Sequence, residues 1–255
     1  IHSMLANGGC CILVPRFTPQ TYAELLRKHK PNFIAGVPTL YEALLRLPSM
    51  EKADLNSLKG VFSGGDSLSI ELKKKLDKFL YEHNCRVQVR EGYGTTETVT
   101  ACCLTPPTMF KEGSIGIPFP DTYFKIVRPG TEEEMPYGQE GEIVVAGPTA
   151  MKGYMNHPEE TAQVLRKHAD GLTWVYTGDL GYIDEDGFGY IKGRIKRIFI
   201  TRDVDGTAYK LFPQKIEELI CKLDEVETCG VVVQEDSARM HVPIVFAKPK
   251  LDSID

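Results

Sequence analysis

Four short stretches of this 255-residue chain carry side chains able to do chemistry. EGYGTTET, residues 91–98, supplies a flat ring at Tyr93, a tight turn at Gly94, hydroxyls at Thr95 and Thr96, and a carboxylate at Glu97. In YTGDLG, residues 176–181, Asp179 can accept two hydrogen bonds from a sugar diol. GRIKR, residues 193–197, brings a guanidinium at Arg194. VFSGGDSLSI, residues 61–70, places Gly64 and Gly65 ahead of Asp66 and Ser67, so that backbone and a hydroxyl are both open to a ligand. Taken singly, each has an ordinary reading: Tyr93 in a core, Glu97 at a helix cap, Asp179 in a turn, Arg194 in a surface ion pair.

The letters Gly65-Asp66-Ser67-Leu68 also mark a family of serine esterases. A serine nucleophile needs a base to take its proton and a third group to orient that base. Those esterases supply both from a late Asp-x-x-His. The six histidines here are His2, His29, His83, His157, His168 and His241, and none follows an aspartate at that spacing. An esterase using Ser67 is a distant alternative.

The elements that must position these residues are legible from periodicity. Thr18 and Pro19 cap and start a helix with Tyr22, Leu25, Leu26 and His29 on one face. NFIAGV reads as a buried strand, and Thr39 with Glu42 as a capping box opening LYEALLRL, whose Leu40, Ala43, Leu44 and Leu47 share a side. GVFSGG is the next strand, Ser69 caps the helix IELKKKLDKFLYEH, and RVQVREGYG is a third strand. This alternation implies a parallel sheet with flanking helices. Residues 64–68 then lie where a parallel strand passes into a helix, the edge at which open α/β sheets bind ligands.

After about residue 104 the pattern changes to short strands and turns: GSIGIPFPDTYFKIV, GEIVVAG, LTWVYTGDLGYID and FGYIKGRIKRIFI. A small β-barrel-like subdomain or a sandwich fits. DEDG, residues 184–187, is read as a hairpin turn; it lacks a calcium loop's ligands, with Tyr182 and Gly193 at the first and closing positions. A helix PQKIEELICKL and strands CGVVV and HVPIVFAK form a third, α+β part. The expected organisation is 1–104 as a partial α/β subdomain, 105–195 as the β-rich subdomain and 196–255 as an incomplete small C-terminal domain.

A formal charge of −5 with no basic run argues against a general nucleic-acid binder. No apolar stretch approaches the roughly 20 residues that cross a bilayer, and a cytoplasmic location is expected. The seven cysteines, Cys10, Cys11, Cys85, Cys102, Cys103, Cys221 and Cys229, contain no C-x-x-C pair and read as buried reduced thiols.

Order and spacing join the motifs. SGG after a strand, then Y-G-x-T-E, Y-x-T-G-D and a later G-R resemble the adenylate-forming superfamily of acyl-CoA synthetases, peptide-synthetase adenylation domains and luciferases. The resemblance runs over essentially the whole chain, including PNFIAGVPTLYEALL and FPQKIEELI. It implies an AMP-forming acid–thiol ligase: a carboxylate attacks the α-phosphate of ATP to give an acyl adenylate and pyrophosphate, and a thiol, here that of coenzyme A, displaces AMP. By the same resemblance Gly64, Gly65, Asp66 and Ser67 form the turn that covers one face of the adenine, where the family has Gly-Gly-Ala-Pro-Leu. Tyr93, followed by Gly94, would cover the other face. Thr96 would contact phosphate, Glu97 would hold magnesium, and Asp179 and Arg194 would bind the ribose. Lys196 falls at the family's interdomain hinge, and Gly206 matches a glycine of the loop used in the thiol step. GRIKRIFI is closer to the acyl-CoA synthetases than to peptide-synthetase domains.

Several departures qualify the expectation. The sequence has no Gly/Ser/Thr-rich loop ending in Pro-Lys-Gly, and no Gly-Lys segment carrying the adenylation lysine. Ile200 stands where many relatives have lysine, and 201–212 is longer than the usual loop. The chain therefore reads as the later part of a longer enzyme, inactive or weakly active in isolation, with a non-catalytic nucleotide-binding member as the alternative.

Overall fold

The computed structural model describes residues 2–14, 16–223 and 225–250, and the chain divides into two compact units, Ile1–Arg90 and Glu91–Asp255.

The first unit runs α1 (His2–Ala6), α2 (Pro19–His29), β1 (Phe33–Gly36), α3 (Pro38–Leu45), β2 (Gly60–Ser63) and α4 (Ile70–Glu82). β1 and β2 pair in parallel, Ile34 opposite Val61, as the strand–helix–strand pattern required. Thr18 caps α2 by accepting from Thr21 N at 3.0 Å, and Ser69 caps α4 by accepting from Leu72 N at 3.2 Å. The expected Thr39–Glu42 capping box does not form. α3 starts two residues earlier, on Pro38, whose fixed φ suits the first helical position and whose missing N–H costs nothing there. Its buried side adds Tyr41 to Leu40 and Leu44, and the Tyr41 hydroxyl donates to Phe62 O at 2.6 Å, pinning α3 to β2. His29 is exposed, and Ala23 with Leu26 forms the buried stripe of α2.

The second unit begins within β3 (Val89–Gly94), at Glu91, and continues with β4 (Ala101–Leu104), β5 (Ile117–Pro118), β6 (Tyr123–Val127), β7 (Gly141–Ala146), α5 (Pro158–Val164), β8 (Leu165–Lys167), β9 (Thr173–Ile183), β10 (Gly189–Arg194), β11 (Phe199–Arg202), β12 (Ala208–Leu211), α6 (Pro213–Ile220), β13 (Val226–Asp236) and β14 (Met240–Pro249). β3 pairs antiparallel with β4, and β4 with β5. The main sheet runs in the order β10-β9-β7-β6, with β8 beside β9.

This sheet is open, where the sequence suggested barrel-like closure. β10 and β6 are its two ends and do not pair with each other, so the sheet does not close. β7 is buried along its whole length, and its Ile143 and Val145 join Cys102, Ile126 and Ile183 in one core. The 184–187 turn is the expected hairpin, with Gly187 at φ +84° and its N–H donating to Asp184 O at 3.0 Å. α5 has no counterpart in the strand pattern; Pro158 at its first turn, followed by Glu159 and Glu160, is its start signal. β11 and β12, and β13 and β14, form two antiparallel hairpins, and α6 packs on β13.

The thiols divide in a way composition did not indicate. Cys85, Cys102 and Cys103 are buried, as expected, whereas Cys10 and Cys221 are exposed and Cys11 and Cys229 partly so, because they lie on loops, at a helix end or on an outer hairpin.

Candidate functional site

Three of the predicted side chains converge in the second unit, and each sits at an interruption of a strand ladder. On β3, register shifts between Tyr93, opposite Cys103, and Gly94, opposite Ala101. On β9, Thr177, Gly178 and Asp179 stand against the single residue Ile143, since Glu142 pairs with Leu180 and Val144 with Tyr176. On β10, the shift between Ile191 and Gly193 brings Arg194 directly opposite Asp179. Bulges re-aim side chains out of the regular alternation, and here they aim a phenol, a carboxylate and a guanidinium at one another.

The bulge in Y-T-G-D is built by its own residues. Gly178 has φ +71°, a left-handed conformation that favours glycine. Side chains replace the lost ladder bonds: Thr177 Oγ1 donates to Ile143 O at 2.7 Å and accepts from Asp179 N at 3.1 Å, and Gly178 N donates to Glu142 Oε1 at 3.0 Å. Gly94 is required for a different reason: a Cβ there would lie 2.0 Å from Thr100 O.

Asp179 is the centre of the cluster and is only 4% exposed. Its Oδ2 accepts from the Tyr93 hydroxyl at 2.6 Å, and its Oδ1 lies 2.9 Å from Arg194 Nε. Arg194 Nη1 also donates to Thr177 O at 3.0 Å. Burial pushes the Asp179 carboxyl above its usual range; the Tyr93 hydrogen bond and the Arg194 charge oppose that without overcoming it. Burial also drives the Tyr93 phenol well up, and the adjacent carboxylate adds to the effect. A carboxylate has about four lone-pair positions, so with one donor on each oxygen Asp179 keeps capacity for a diol.

Glu97 lies in a single 3₁₀ turn, Thr96–Thr98, capped by Thr95, whose N–H donates to Thr98 Oγ1 at 2.9 Å. Thr96 is exposed on that turn, and Val99, a β-branched residue at φ +65°, reverses the chain after it. Glu97 Oε1 accepts from the Tyr154 hydroxyl at 2.6 Å, and Met151 N donates to Glu97 O at 2.8 Å. Burial would raise its carboxyl, but the Tyr154 bond, further hydrogen bonds and the positive Arg194 outweigh it, leaving the group below its ordinary value. Tyr154, Thr177 and Glu142 were missed as site residues. Thr177 stood inside the quoted motif, while Glu142 on β7 and Tyr154 in the loop before α5 carry no local signal.

The remaining predicted residues belong to other elements. Gly64, Gly65, Asp66 and Ser67 form the turn after β2 in the first unit, with Gly65 at φ +80° and Asp66 Oδ1 accepting from Ser67 N at 2.8 Å. The Ser63 hydroxyl just before it is buried with no hydrogen-bond partner among the described residues. His83, the histidine of α4's end, has its ring nitrogens 2.7 Å from Phe79 O and 3.2 Å from Glu51 O, so it is held away from any role as base for Ser67. Lys196 is exposed in the 3₁₀ turn Ile195–Arg197 that follows β10. Gly206, at φ +83°, is in the turn between β11 and β12, which Asp203 organises by accepting from Asp205 N and Thr207 N. A cleft of about 560 Å³, lined in part by Tyr123, Met151, Lys152, Leu165 and Leu172, contains none of the predicted side chains.

Among the described residues no group of three or more His, Cys, Asp or Glu side chains could hold a metal unaided. Magnesium needs no such cage: it keeps several waters and is held by one or two carboxylates together with substrate phosphates. One ionised carboxylate at Glu97 fits that pattern.

The AMP-binding enzyme family profile matches residues 1–155. A long-chain-fatty-acid–CoA ligase of Bacillus subtilis is 39% identical over 232 residues, covering 89% of this chain and 38% of the relative. A 4-coumarate–CoA ligase of Glycine max is 31% identical over 240 residues, covering 92% of this chain and 78% of the relative. Among solved structures, ATP-bound MatB of Rhodopseudomonas palustris superposes with a TM-score of 0.81 at 29% identity, over 97% of this chain and 46% of that one. The chain thus spans roughly two fifths of the length of several of its curated relatives. Profile, relatives and fold agree with the motif order, and the chain belongs to the AMP-binding enzyme family, whose matched relatives include adenylate-forming CoA ligases.

Proposed function

We propose that this chain is the nucleotide-binding part of an AMP-forming ligase that activates a carboxylic acid with ATP and passes the acyl group to coenzyme A. The observation that carries the reading is the buried Asp179 carboxylate held between Tyr93 and Arg194. An acceptor with capacity on both oxygens suits the paired hydroxyls of ribose, and Arg194 favours its ionised form and aligns it. Tyr93 serves twice, its ring offering a face for a purine and its hydroxyl fixing the carboxylate. On the first unit, the Gly64–Ser67 turn is assigned to adenine by its match to the family pattern, supported by the left-handed Gly65.

Glu97, kept ionised by Tyr154, would hold magnesium, and Thr96 on the same turn would contact phosphate. The metal supplies charge neutralisation when two anions, carboxylate and α-phosphate, must meet. The residues of this chain orient the nucleotide so that the α-phosphate is presented in line to the acid. Lys196 is assigned to a hinge, residues 196–255 to the small domain, and Gly206 to the thiol step. A cytoplasmic location is part of the proposal; among the described residues no helix is long and apolar enough to cross a membrane.

A second reading is nucleotide binding without turnover, which holds if the full-length protein lacks both a Gly/Ser/Thr-rich loop ending in Pro-Lys-Gly and the terminal adenylation lysine. The two are separated by incubating the full-length parent protein with ATP, magnesium, coenzyme A and a panel of aromatic and aliphatic acids. Acid-dependent AMP release that Glu97→Gln lowers supports the ligase; nucleotide binding with no AMP release supports the second reading.

A further inference from the structure

We propose that Cys221 and Cys229 form a reversible disulfide site, oxidised by exchange with a small-molecule disulfide, that reports its state to the Ile195–Arg197 turn. Cys221 ends α6 and is exposed; Cys229 lies on β13 and is partly exposed; their sulfurs are 3.4 Å apart. The three buried thiols have different surroundings, each directed at a backbone carbonyl: Val87 O for Cys85, Tyr93 O for Cys102 and Ile115 O for Cys103.

Glu217 is the link. Its carbonyl accepts from Cys221 N at 2.9 Å and from the Cys229 thiol at 3.4 Å. Its Oε1 accepts from Val231 N at 2.9 Å and from Arg197 Nη2 at 2.8 Å. One residue therefore touches the dithiol through its backbone and the 195–197 turn through its carboxylate.

The chemistry closes without further reagents. The exposed Cys221 thiolate attacks one sulfur of an oxidised glutathione-type disulfide, RS–SR, and a thiolate RS⁻ leaves and takes a proton. Cys229 then loses its proton, attacks the Cys221 sulfur of the mixed disulfide and expels the second RS⁻. Two protein thiols are oxidised and one disulfide is reduced to two thiols. Burial and the neighbouring Cys221 sulfur push the Cys229 thiol up to about 11, which disfavours its thiolate and leaves the first attack to the exposed Cys221. Closure draws the sulfurs from 3.4 Å to about 2.0 Å and removes the S–H that Glu217 O accepts, so the contact to Arg197 must readjust.

The site stands on this geometry alone; only its reach into catalysis rests on Lys196 being a hinge. The test equilibrates the whole protein in glutathione and glutathione disulfide mixtures of decreasing reducing power, quenches with acid, alkylates and maps peptides. The expected result is joint loss of alkylation at both cysteines with appearance of a linked 221–229 peptide, reversed by dithiothreitol, while Cys229→Ser stops at a Cys221–glutathione mixed disulfide. Cysteines that stay alkylatable throughout, or wild type that halts at the mixed disulfide, would overturn the site. Hydrogen exchange at 195–197 should change between reduced and oxidised wild type and not in Cys229→Ser; identical exchange would overturn the coupling and leave the nucleotide proposal untouched.

Discussion

The Tyr93 hydroxyl donates a 2.6 Å hydrogen bond to Asp179 Oδ2 across 86 positions of sequence, joining the bulge that ends β3 to the bulge within β9. Y-G-x-T-E and Y-x-T-G-D are in this sense one structural unit: the phenol of the first fixes the acid of the second. The carboxylate is pre-aligned before any ligand arrives, which lowers the ordering cost of binding.

That bond can be separated from the ring. Tyr93→Phe keeps the aromatic face and removes the donor, so AMP affinity should fall by about 1 kcal/mol, the typical net value of one hydrogen bond. Tyr93→Ala should lose a further ~1–3 kcal/mol of base stacking. Calorimetric titration of the two variants checks the order; equal losses would show that the ring does not face the base.

Glu97 depends on Tyr154 in the same manner. Tyr154→Phe deletes the donor that most opposes burial, so the Glu97 carboxyl should rise. Carbon-13 NMR of labelled glutamate should record an upward shift in the titration, and the pH at which magnesium-dependent nucleotide binding sets in should rise with it. An unchanged titration would remove Tyr154 from the site.

Much of the frame was legible in the sequence, for physical reasons specific to each element. The first unit's helices and strands follow simple periods, and Thr18 and Ser69 announce their caps through their own hydroxyls. The start of α3 was misread by two residues because Pro38 at the first turn outranks a Thr39 capping box. The open sheet was misread as closed because strand composition says nothing about which edges meet. At the candidate site the residue types could be read but their contacts could not. Asp179 opposite Arg194 is a consequence of the 191–193 bulge, and Tyr154 reaches Glu97 over 57 positions, neither of which has a local signature.

Burial of Asp179 also predicts a pH dependence of stability. Its folded carboxyl titrates above the unfolded value, so ionisation costs free energy in the folded protein. The cost is absent below about pH 4, where the group is protonated in both states, and grows as pH rises through the folded value. Asp179→Asn should therefore melt at the same temperature as wild type at acidic pH and at a higher one at neutral pH, while binding nucleotide more weakly. A variant that melts lower than wild type at neutral pH would mean that the ion pair with Arg194 outweighs desolvation.

The most direct measurement is calorimetric titration of the protein with a non-hydrolysable acyl-adenylate mimic, in wild type and in Asp179→Ala. The account predicts binding by wild type, weakened by ~1–3 kcal/mol in the variant as charge-assisted hydrogen bonds to ribose are lost. Equal affinity of two demonstrably folded proteins would contradict it, since the carboxylate between Tyr93 and Arg194 would then hold no part of the nucleotide.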